Sequence, residues 1–535
     1  MPRKHPRTTI QSGASPVPAT ITFPSSALSP SYDTRFGTSV DADGWIDHAL
    51  KSGCRRVYVD SVNGNDTTGT GLSTASAKAT HDAGWAVFTN GSFTPGDQFM
   101  VAGGEGQTYT NNHTIGNLSN YSGFSAQYLT AIRSYDSRDA ANTSLYGRLV
   151  GPDMPSVSLP NGASSYALAA PGAGAGKIAI QGVELKAVSS AADVNLNYTY
   201  EQTDLCFQNL RMNGVRLAID SAGSTISRIG LSKIAFWGAW ASDGNGSGLY
   251  TGGTDALIDE DLVFAHCGWK IGATRDTAVA SGGPSLLGHG HYHHYSNVNA
   301  IHRRIVGVDA ATDTHNYRGG GVCSALVSLD EPVIGTFGRG LSGDSAFATC
   351  DDMLAMGGSD FNSGDVRGNG PGFASTQAGS YMNKLVLADH YSYNNGAHHW
   401  AVQSDHADVF TTADFRNCRS YLWSPYLHPG GGAGAYPANV TETIHDCILD
   451  VAATGTNNSV HSGLTTFPNA KTRAQVYTAM GFGSKAALVN AMLWRPDLPW
   501  AQALITIGLP SLGLTPTYAT VAPPDLSGLT PATIY

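Results

Sequence analysis

One spacing of apolar positions recurs along the chain, at residues i, i+2, i+5 and i+7. The segments that begin at Ile178, Leu205 and Ile229 fit it closely. Looser copies begin at Leu257, Ile301, Leu385, Phe410 and Glu442. Steps of two residues place side chains on one face of a strand, whereas the step of three needs a bend that resets the alternation. The pattern therefore predicts a strand, a corner and a second strand, repeated along the chain.

Each predicted corner lies just before the third position of the pattern. The corner residues are Gly182, Asn209, Lys233, Asp261, Ile305, Asp389, Asp414 and Asp446. Most of them are Gly, Asn or Asp, which tolerate the left-handed backbone that a sharp bend requires. Contiguous copies begin 24–28 residues apart, a period that suits one coil of a β-solenoid. Helical repeats are disfavoured because helix-forming patterns are scarce. The copies that begin at residues 257 and 301 are followed by longer gaps, which are expected to hold further coils and lateral loops.

The chain before these copies has a different order of elements. Alternation predicts a strand over residues 56–60, which a Gly/Asn/Asp-rich loop and a helix over residues 77–88 follow. A turn at residues 95–97 then leads into another strand. A short helix is also predicted around residues 44–51.

Three short sequences in this region carry a resemblance to a known family. They are Tyr-Val-Asp at residues 58–60, Gly-Asn-Asp at residues 64–66 and Gly-Asp at residues 96–97. They resemble the N-terminal region of right-handed parallel β-helix proteins of the pectin-lyase-like superfamily, where such a strand and loop precede a capping helix and the first coil. The resemblance covers about 50 residues. With the repeats, it predicts an all-β fold: a right-handed parallel β-helix (β-solenoid) with an N-terminal capping helix and a C-terminal segment with short helices.

The composition changes along the chain and divides it into four parts. Residues 1–35, rich in Pro, Ser and Thr, are predicted to form an extended N-terminal arm. Residues 36–110 form the N-terminal cap and the start of the solenoid, and residues 111–464 form the parallel β-helix with lateral loops. Residues 465–535 are expected to be a C-terminal cap or oligomerisation segment, because an open sheet end must be covered. Two short helices are predicted there, at 472–480 and 484–493, with an extended chain after Pro510.

Composition and charge exclude several classes of protein. The 535 residues carry a net charge of −10, which argues against a general nucleic-acid binder because such a protein needs a basic face. No apolar run approaches the ~18–20 residues of a membrane span, so membrane insertion is not expected. The hydrophobic fraction of 41% is enough for a large core. The basic N-terminus lacks the apolar stretch of a secretion signal, and the seven cysteines, none in a CxxC spacing, are interpreted as mostly buried thiols.

The densest cluster of titratable residues is the segment 288–295, which reads Gly-His-Gly-His-Tyr-His-His-Tyr. Imidazoles bind zinc, but the HExxH spacing is absent. Alternation in a strand would place His291 and His293 on one face and His294 on the other. The favoured interpretation is that these are solvated or stacked residues of a coil turn, and a catalytic role for His291 and His293 is the alternative. We therefore expect no metal and no other cofactor.

Carboxylates supply a second set of candidate catalytic residues: Asp330, Glu331, Asp351 and Asp352. Glycoside hydrolysis needs two carboxyl groups, about 5–5.5 Å apart for retention or about 6.5–9.5 Å apart for inversion. The alternative interpretation is that Asp and Gly simply occupy exposed turns. Their spacing in the sequence does not decide between the two.

A polysaccharide lyase would need different groups. Elimination from a uronic acid requires a base that removes the C5 proton and a cation that neutralises the carboxylate. His293 or Tyr292 is the candidate base, and the available cations are Lys270, Arg275, Arg303, Arg304 and Arg318. No recognisable lyase sequence accompanies them, so lyase and hydrolase chemistry both stay open.

Tryptophans near the ends of predicted strands are the candidate substrate-binding residues. They are Trp237, Trp240, Trp269 and Trp400. Each can stack on a sugar ring, or can instead cover the end of the apolar core.

Three functions fit these features, and the solenoid itself does not choose among them. The first is a virion surface protein, a bacteriophage tail spike or fibre that recognises a bacterial surface polysaccharide and, in one version, depolymerises it. Its arm would bind other virion proteins, it would be extracellular after host lysis, and the resemblance to β-helix tail spikes implies a homotrimer. The alternatives are a stand-alone polysaccharide lyase or glycoside hydrolase, and a non-catalytic structural spike or adhesin.

Overall fold

The computed structural model describes residues 39–526. Its gaps are residues 42, 91–92, 95, 105, 111–129, 160–161, 164–177, 188–193, 200–202, 221–225, 242–245, 275–276, 286, 295–296, 298–299, 318–320, 332–334, 338–347, 358–373, 376–379, 391–400, 403–411, 417–418, 424–440, 446–447, 450–460, 463–468 and 518–519. The predicted N-terminal arm therefore lies outside the described residues.

The first third of the chain supplies nine strands and one α-helix within the described residues. The strands are β1 (Ser39–Val40), β2 (Ile46–Asp47), β3 (Arg56–Val59), β4 (Gln98–Gly103), β5 (Thr108–Thr110), β6 (Thr130–Asp136), β7 (Ser156–Leu159), β8 (Gly162–Ala163) and β9 (Ile178–Ala187). Helix α1 (His81–Phe88) lies between β3 and β4 and packs Trp85 and Phe88 into the core. Single turns of 3-10 helix occur at Thr74–Ser76, Ser137–Asp139, Thr143–Leu145 and Gly151–Asp153.

The middle of the chain alternates between two parallel sheets. Its strands are β10 (Val194–Thr199), β11 (Thr203–Asn213), β12 (Val215–Asp220), β13 (Ile226–Trp237), β14 (Leu249–Gly252), β15 (Thr254–Ala265), β16 (His291–His293), β17 (Ile301–Val308), β18 (His315–Tyr317), β19 (Gly321–Leu329), β20 (Gly335–Phe337), β21 (Ala348–Met356), β22 (Ala374–Ser375), β23 (Ser380–His390) and β24 (Ala401–Val402). A 3-10 turn, Val279–Ser281, precedes β16.

Each strand from β10 to β22 pairs in parallel with the strand two places further along the chain. Odd-numbered strands from β9 to β23 belong to the first sheet, which also includes β3 to β7, and even-numbered strands from β8 to β24 form the second sheet of nine strands. We call one strand of each sheet, with the connection between them, a coil. The first sheet continues through β25 (Thr412–Arg416), β26 (Arg419–Trp423), β27 (Thr441–His445), β28 (Ile448–Leu449) and β29 (His461–Ser462). This long parallel sheet is consistent with the β-helix or solenoid fold predicted from the repeats.

The backbone shows the predicted corners in the first four copies. Gly182, Asn209, Lys233 and Asp261 have φ between 55° and 78°, the left-handed region that favours Gly, Asn and Asp. The parallel register continues on both sides of each corner, so the corners lie above one another. The repeated apolar positions face the interior and form the first core, as Ile178, Ile180, Val183, Leu185, Leu205, Phe207, Leu210, Met212, Ile229, Leu231, Ile234 and Phe236 all do.

Further along, the predicted corners need correction. The left-handed residue in the next coil is Arg304, with φ 56°, and not Ile305. Ala325 and Asp352, at φ 54° and 59°, mark two coils that the apolar pattern does not reveal. A local pattern fits more than one frame once polar residues occupy inward positions, and only the pairing with neighbouring coils selects the correct one.

Two other predicted corners lie inside strands. Asp389 is part of β23, where the register places Lys384 opposite the corner at Asp352. Asp414 is part of β25 and pairs with Tyr381. Asp446 does follow the end of β27, but it lies outside the described residues.

At the N-terminus, the strand over residues 56–60 and the turn before β4 are confirmed. The helix predicted over residues 77–88 is shorter, because the Thr80 hydroxyl accepts a hydrogen bond from the backbone N–H of Ala83 and starts the helix at His81. The helix predicted around residues 44–51 is wrong, since β2 pairs there with β1. The Asp41 carboxylate accepts hydrogen bonds from the backbone N–H groups of residues 43 and 45, which forms a turn in place of a helix.

Three helices follow the strands: α2 (Arg473–Ala479), α3 (Lys485–Trp494) and α4 (Trp500–Ser511). The first two match the predicted helices, with Thr472 and Ser484 as N-caps, and α4 was not predicted. Helices α3 and α4 lie against the outer face of the first sheet over β13–β21, α2 packs against both of them, and all three contribute to a second, lateral core. On β13, for example, Ile234 faces the first core and Ala235 faces the helices. No helix in the described part of the chain has the length and hydrophobicity to cross a lipid bilayer.

Candidate functional site

The sequence-predicted site residues do not form a single cleft. They fall into the interior of the coils, a layer beneath the C-terminal helices, and the lateral core. A fourth location, on the outer face of the second sheet, holds the candidate base Tyr292 together with residues that the sequence analysis did not select.

His291 and His293 lie in the interior and not in a solvated turn, which corrects the favoured interpretation. They share one face of β16, as alternation predicts, and both are fully buried. The His291 Nδ1 atom is 3.0 Å from Asp259 Oδ2, and the His302 Nδ1 atom is 2.7 Å from Asp259 Oδ1. We call Asp259, His291, His293 and His302 the interior polar cluster.

Burial and mutual charge shift the titration of this cluster. Burial lowers the pKa of His291, and it lowers the pKa of His293 further, where the neighbouring imidazoles add to the effect. Burial alone would raise the pKa of Asp259, but the adjacent His302 and His291 hold it well below its usual range. The carboxylate therefore stays ionised in the interior. In this position the two predicted histidines have no access to a polymer outside the coils.

Arg304 belongs to a network of ion pairs on the first sheet. Its Nε is 2.7 Å from Asp261 Oδ1, and its Nη2 is 2.9 Å from Glu260 Oε2. Arg303 Nη2 also pairs with the Glu260 carboxylate. Burial would raise the pKa of Asp261, but Arg304 outweighs it and lowers that pKa. Arg304 is thus held by two carboxylates of the preceding coil.

The carboxylates Asp330, Asp351 and Asp352 contact the C-terminal segment. Asp330 forms ion pairs with Arg473 and, at 3.1 Å, with the Nζ atom of Lys485. The Thr517 hydroxyl donates to Asp351 Oδ2 at 2.9 Å, and its backbone N–H donates to Asp352. These contacts fasten residues 473–517 to the coils. The three carboxylates therefore have a structural role, which is to hold the C-terminal segment against the coils.

The candidate tryptophans are buried where the structure describes them. Trp237 lies in the lateral core. Trp269 stacks on His266 with ring centroids 3.8 Å apart, and its Nε1 donates to the Asp309 carbonyl at 2.9 Å. Trp240 is 9% exposed and lies under the ammonium group of Lys270. Trp400 lies outside the described residues.

The outer face of the second sheet carries a ladder of half-buried aromatic rings. Tyr250 and Tyr292 are register partners on β14 and β16, and their rings stack in parallel with centroids 5.5 Å apart. The His294 ring lies 6.1 Å from each of them. We call Tyr250, Tyr292 and His294 the aromatic ladder. Sheet alternation explains it: on β12, odd-numbered residues face the core and even-numbered residues face outward.

A histidine–aspartate pair adjoins the ladder. The Nδ1 atom of His289 hydrogen-bonds to Asp313 Oδ1, and the His289 ring is 5.1 Å from that of Tyr292. The Asn316 amide lies 3.4 Å from the same Asp313 oxygen. Because Asp313 accepts from Nδ1–H, the basic nitrogen of the neutral imidazole is Nε2. No hydrogen bond to His289 Nε2 is found among the described residues.

Glu331 lies on the inner side of this pair. Its Oε2 accepts a hydrogen bond of 3.1 Å from the backbone N–H of Thr314, and its Oε1 contacts the Thr314 hydroxyl. Burial raises the pKa of Glu331 to about 8, and the charge of the nearby Asp313 adds to this shift. Of the predicted carboxylates, Glu331 is thus the one that the structure brings close to Asp313.

The outer face combines two kinds of chemistry. Flat aromatic faces pack against the C–H surface of a sugar ring, and a histidine held by a carboxylate is a general base. The sequence holds a signal for this site: His289 and Asp313 lie 24 residues apart, as do Tyr292 and Asn316. That separation equals one coil, so a comparison of residues one period apart would have found the pair.

No protein-family model matches this sequence, and no curated protein matches it either.

Proposed function

We propose that this chain is a right-handed parallel β-helix protein that recognises a polysaccharide through the outer face of its second sheet. The observation that carries the proposal is the stacked Tyr250–Tyr292 pair beside the His289–Asp313 pair. A linear glycan lying along the stacking direction of the coils contacts both tyrosines and the polar groups beside them. Sugar recognition commonly combines an apolar platform with a few placed polar groups in this way.

The setting we propose is a virion: a bacteriophage tail spike or fibre that meets the polysaccharide of a bacterial surface. The low content of charged residues, 13%, and the polar N-terminal arm support it. The resemblance of residues 58–101 to β-helix proteins supports it as well, and a homotrimer follows from that resemblance. A stand-alone polysaccharide enzyme is the competing hypothesis.

Cleavage is a second candidate function, and the histidine–aspartate pair supplies the base that elimination requires. His289 Nε2 is the nitrogen that can remove a proton, and Asp313 fixes the ring and stabilises the imidazolium that forms. Hydrolysis needs two carboxyl groups flanking the bond, whereas Asp330, Asp351 and Asp352 bind the C-terminal segment. A non-catalytic adhesin would use the same platform without the proton transfer.

Binding is tested on a panel of capsular and lipopolysaccharide glycans with the wild-type protein, Tyr250→Ala and Tyr292→Ala. One aromatic contact contributes about 0.5–1.5 kcal/mol, so each variant should bind roughly 2–10-fold more weakly. Tyr58→Ala, a half-buried tyrosine whose ring contacts Tyr135 in the N-terminal coils, is the matched control. Equal binding by the wild type and both ladder variants, or equal loss in the control, would refute the site.

Cleavage is tested on the glycans that bind, by the ultraviolet absorbance of unsaturated products and by new reducing ends. His289→Gln should lose the absorbance signal and keep glycan binding. New reducing ends without unsaturated product would show that the protein cleaves by hydrolysis and not by elimination. Binding without either product across the panel would support the hypothesis of a non-catalytic adhesin.

The spike hypothesis has its own measurement, which is the mass in solution by light scattering coupled to size exclusion. The chain has a mass of 55.9 kDa. A mass near three times this value supports the trimeric spike. A monomer supports the stand-alone enzyme.

A further inference from the structure

One row of inward-facing positions in the first sheet changes from apolar to polar along the coils. In register order the row is Ile180, Phe207, Leu231, Asp259, His302 and Cys323. On the facing sheet, His291 and His293 point into the same space. Polar groups inside a core are unfavourable unless each has a partner, so the change at Asp259 needs a physical reason.

Hydrogen bonds satisfy only some of the buried polar atoms in this space. Asp259 Oδ2 and His291 Nδ1 are 3.0 Å apart, yet within the described residues neither atom has a hydrogen bond of acceptable geometry. The Nε2 atoms of His293 and His302 are also buried without a partner in that part of the chain. Asp259 is fully buried as well, and a buried carboxylate is unfavourable without a counter-charge close to it.

A cation between these groups would supply that charge. One donor atom from each of Asp259, His291 and His302 lies within 4.8 Å of the other two, and all three residues are buried. Zinc binds imidazole nitrogen and carboxylate oxygen at about 2.0–2.2 Å, which sets the donors of a tetrahedral site about 3.4 Å apart. The contacts of 3.0 Å and 2.7 Å that His291 and His302 make with Asp259 need to widen by about 0.4 Å and about 0.7 Å.

We infer that Asp259, His291 and His302 form an interior binding site for a divalent transition-metal ion, with zinc the ion that suits the donors best. Two imidazoles and a carboxylate are ligands that zinc and ferrous iron share. Coordination through Nδ1 moves the ring proton of each neutral imidazole to Nε2. The ion ties three strands of both sheets together from inside, so its effect is on stability and is independent of polysaccharide binding.

The test uses the full chain, because a buried ion must enter as the protein folds. The wild type is expressed in minimal medium with added zinc sulfate or with a zinc chelator, and metal content is measured by mass spectrometry after gel filtration. The zinc-grown protein should hold about one zinc per chain and should melt several degrees above the chelator-grown protein.

Variants of the proposed ligands test where the ion binds. Asp259→Asn and His302→Gln keep the volume of the side chains and should reduce zinc to below about a fifth of the wild-type content. His315→Gln removes another fully buried imidazole of the second sheet and should leave zinc unchanged. If the ligand variants fail to fold, growth of the wild type with cobalt decides, because bound Co²⁺ with nitrogen and oxygen donors absorbs visible light. A metal-free wild type with the same melting temperature in both media would overturn the inference and leave a purely hydrogen-bonded cluster.

Discussion

The buried carboxyl group of Glu331 should make the stability of the protein fall as the pH rises. Burial raises its pKa from an ordinary 4.5 to about 8 in the folded chain. Below pH 4.5 both folded and unfolded chains hold the proton. Between pH 4.5 and 8 the unfolded chain loses it while the folded chain keeps it, so folding becomes less favourable with increasing pH.

The size of the effect follows from the two pKa values. The difference between about 8 and 4.5 corresponds to roughly 5 kcal/mol, at about 1.4 kcal/mol for each pH unit. We take this as an upper bound, since the nearby charge of Asp313 contributes to the raised pKa of Glu331, and Glu331 in turn raises the pKa values of Tyr317 and Cys267. The contribution of the Glu331 carboxyl group to the unfolding free energy is fully present below pH 4.5 and is lost as the pH rises through about 8.

The perturbation is Glu331→Gln, which removes the titrating proton and keeps the size of the side chain. The amide oxygen can still accept from the Thr314 backbone N–H, which the carboxyl does now at 3.1 Å. At pH 5 the variant should be slightly less stable than the wild type, and above pH 8 it should be more stable. Thermal unfolding of both proteins at intervals from pH 5 to 9 measures the crossing.

Glu184→Gln is the matched control. Glu184 pairs with Arg211 at 3.1 Å on the first sheet, away from the Glu331 pocket, so its variant should keep the wild-type slope. If the wild type and Glu331→Gln changed in parallel across this pH range, the carboxyl group would not be protonated in the folded protein. The argument from burial would then be refuted.

Three further predictions concern the coils and the helices, each measured by thermal or urea unfolding. Ala325 has φ 54°, so Ala325→Gly should leave the unfolding free energy nearly unchanged, because relief of about 1–2 kcal/mol of backbone strain offsets the loss of the methyl group. The control is Ala355→Gly, which should lower the unfolding free energy because Ala355 is a buried strand residue. Phe264→Ala, which removes a ring stacked on Phe236 at 4.8 Å, should lower the unfolding free energy by about 3–5 kcal/mol. Thr472→Ala should lower it by about 1 kcal/mol through loss of the capping box. Equal effects of the two glycine substitutions would contradict the strain argument.

Much of the fold could be predicted because its signals are local. A strand alternates every two residues, and a left-handed corner favours Gly, Asn or Asp, so the copies at Ile178, Leu205 and Ile229 are visible without any neighbour. Helix caps are also local, and Thr472 and Ser484 mark the starts of two helices. The same reasoning fails at Ala325 and Arg304, where the corner residue has no preference for a left-handed backbone.

Little of the candidate site could be predicted, because its residues meet through contacts between coils. Asp330 is 143 residues from its partner Arg473, and nothing near it in the sequence shows that a helix covers it. The segment around His291 alternates as a strand does. Alternation, however, does not tell which face is inside when both faces carry polar side chains.

The sequence by itself determined the period of the coils, the type of most elements and the negative net charge. The tertiary structure decided what each polar residue does. His291 turns inward because Asp259 and His302 of the neighbouring strands meet it there, whereas His289 pairs with Asp313 of the next coil beside the Tyr292 ring. Backbone preference acts over a few residues, but the cost of burying a polar group depends on partners that only the stacked coils bring together.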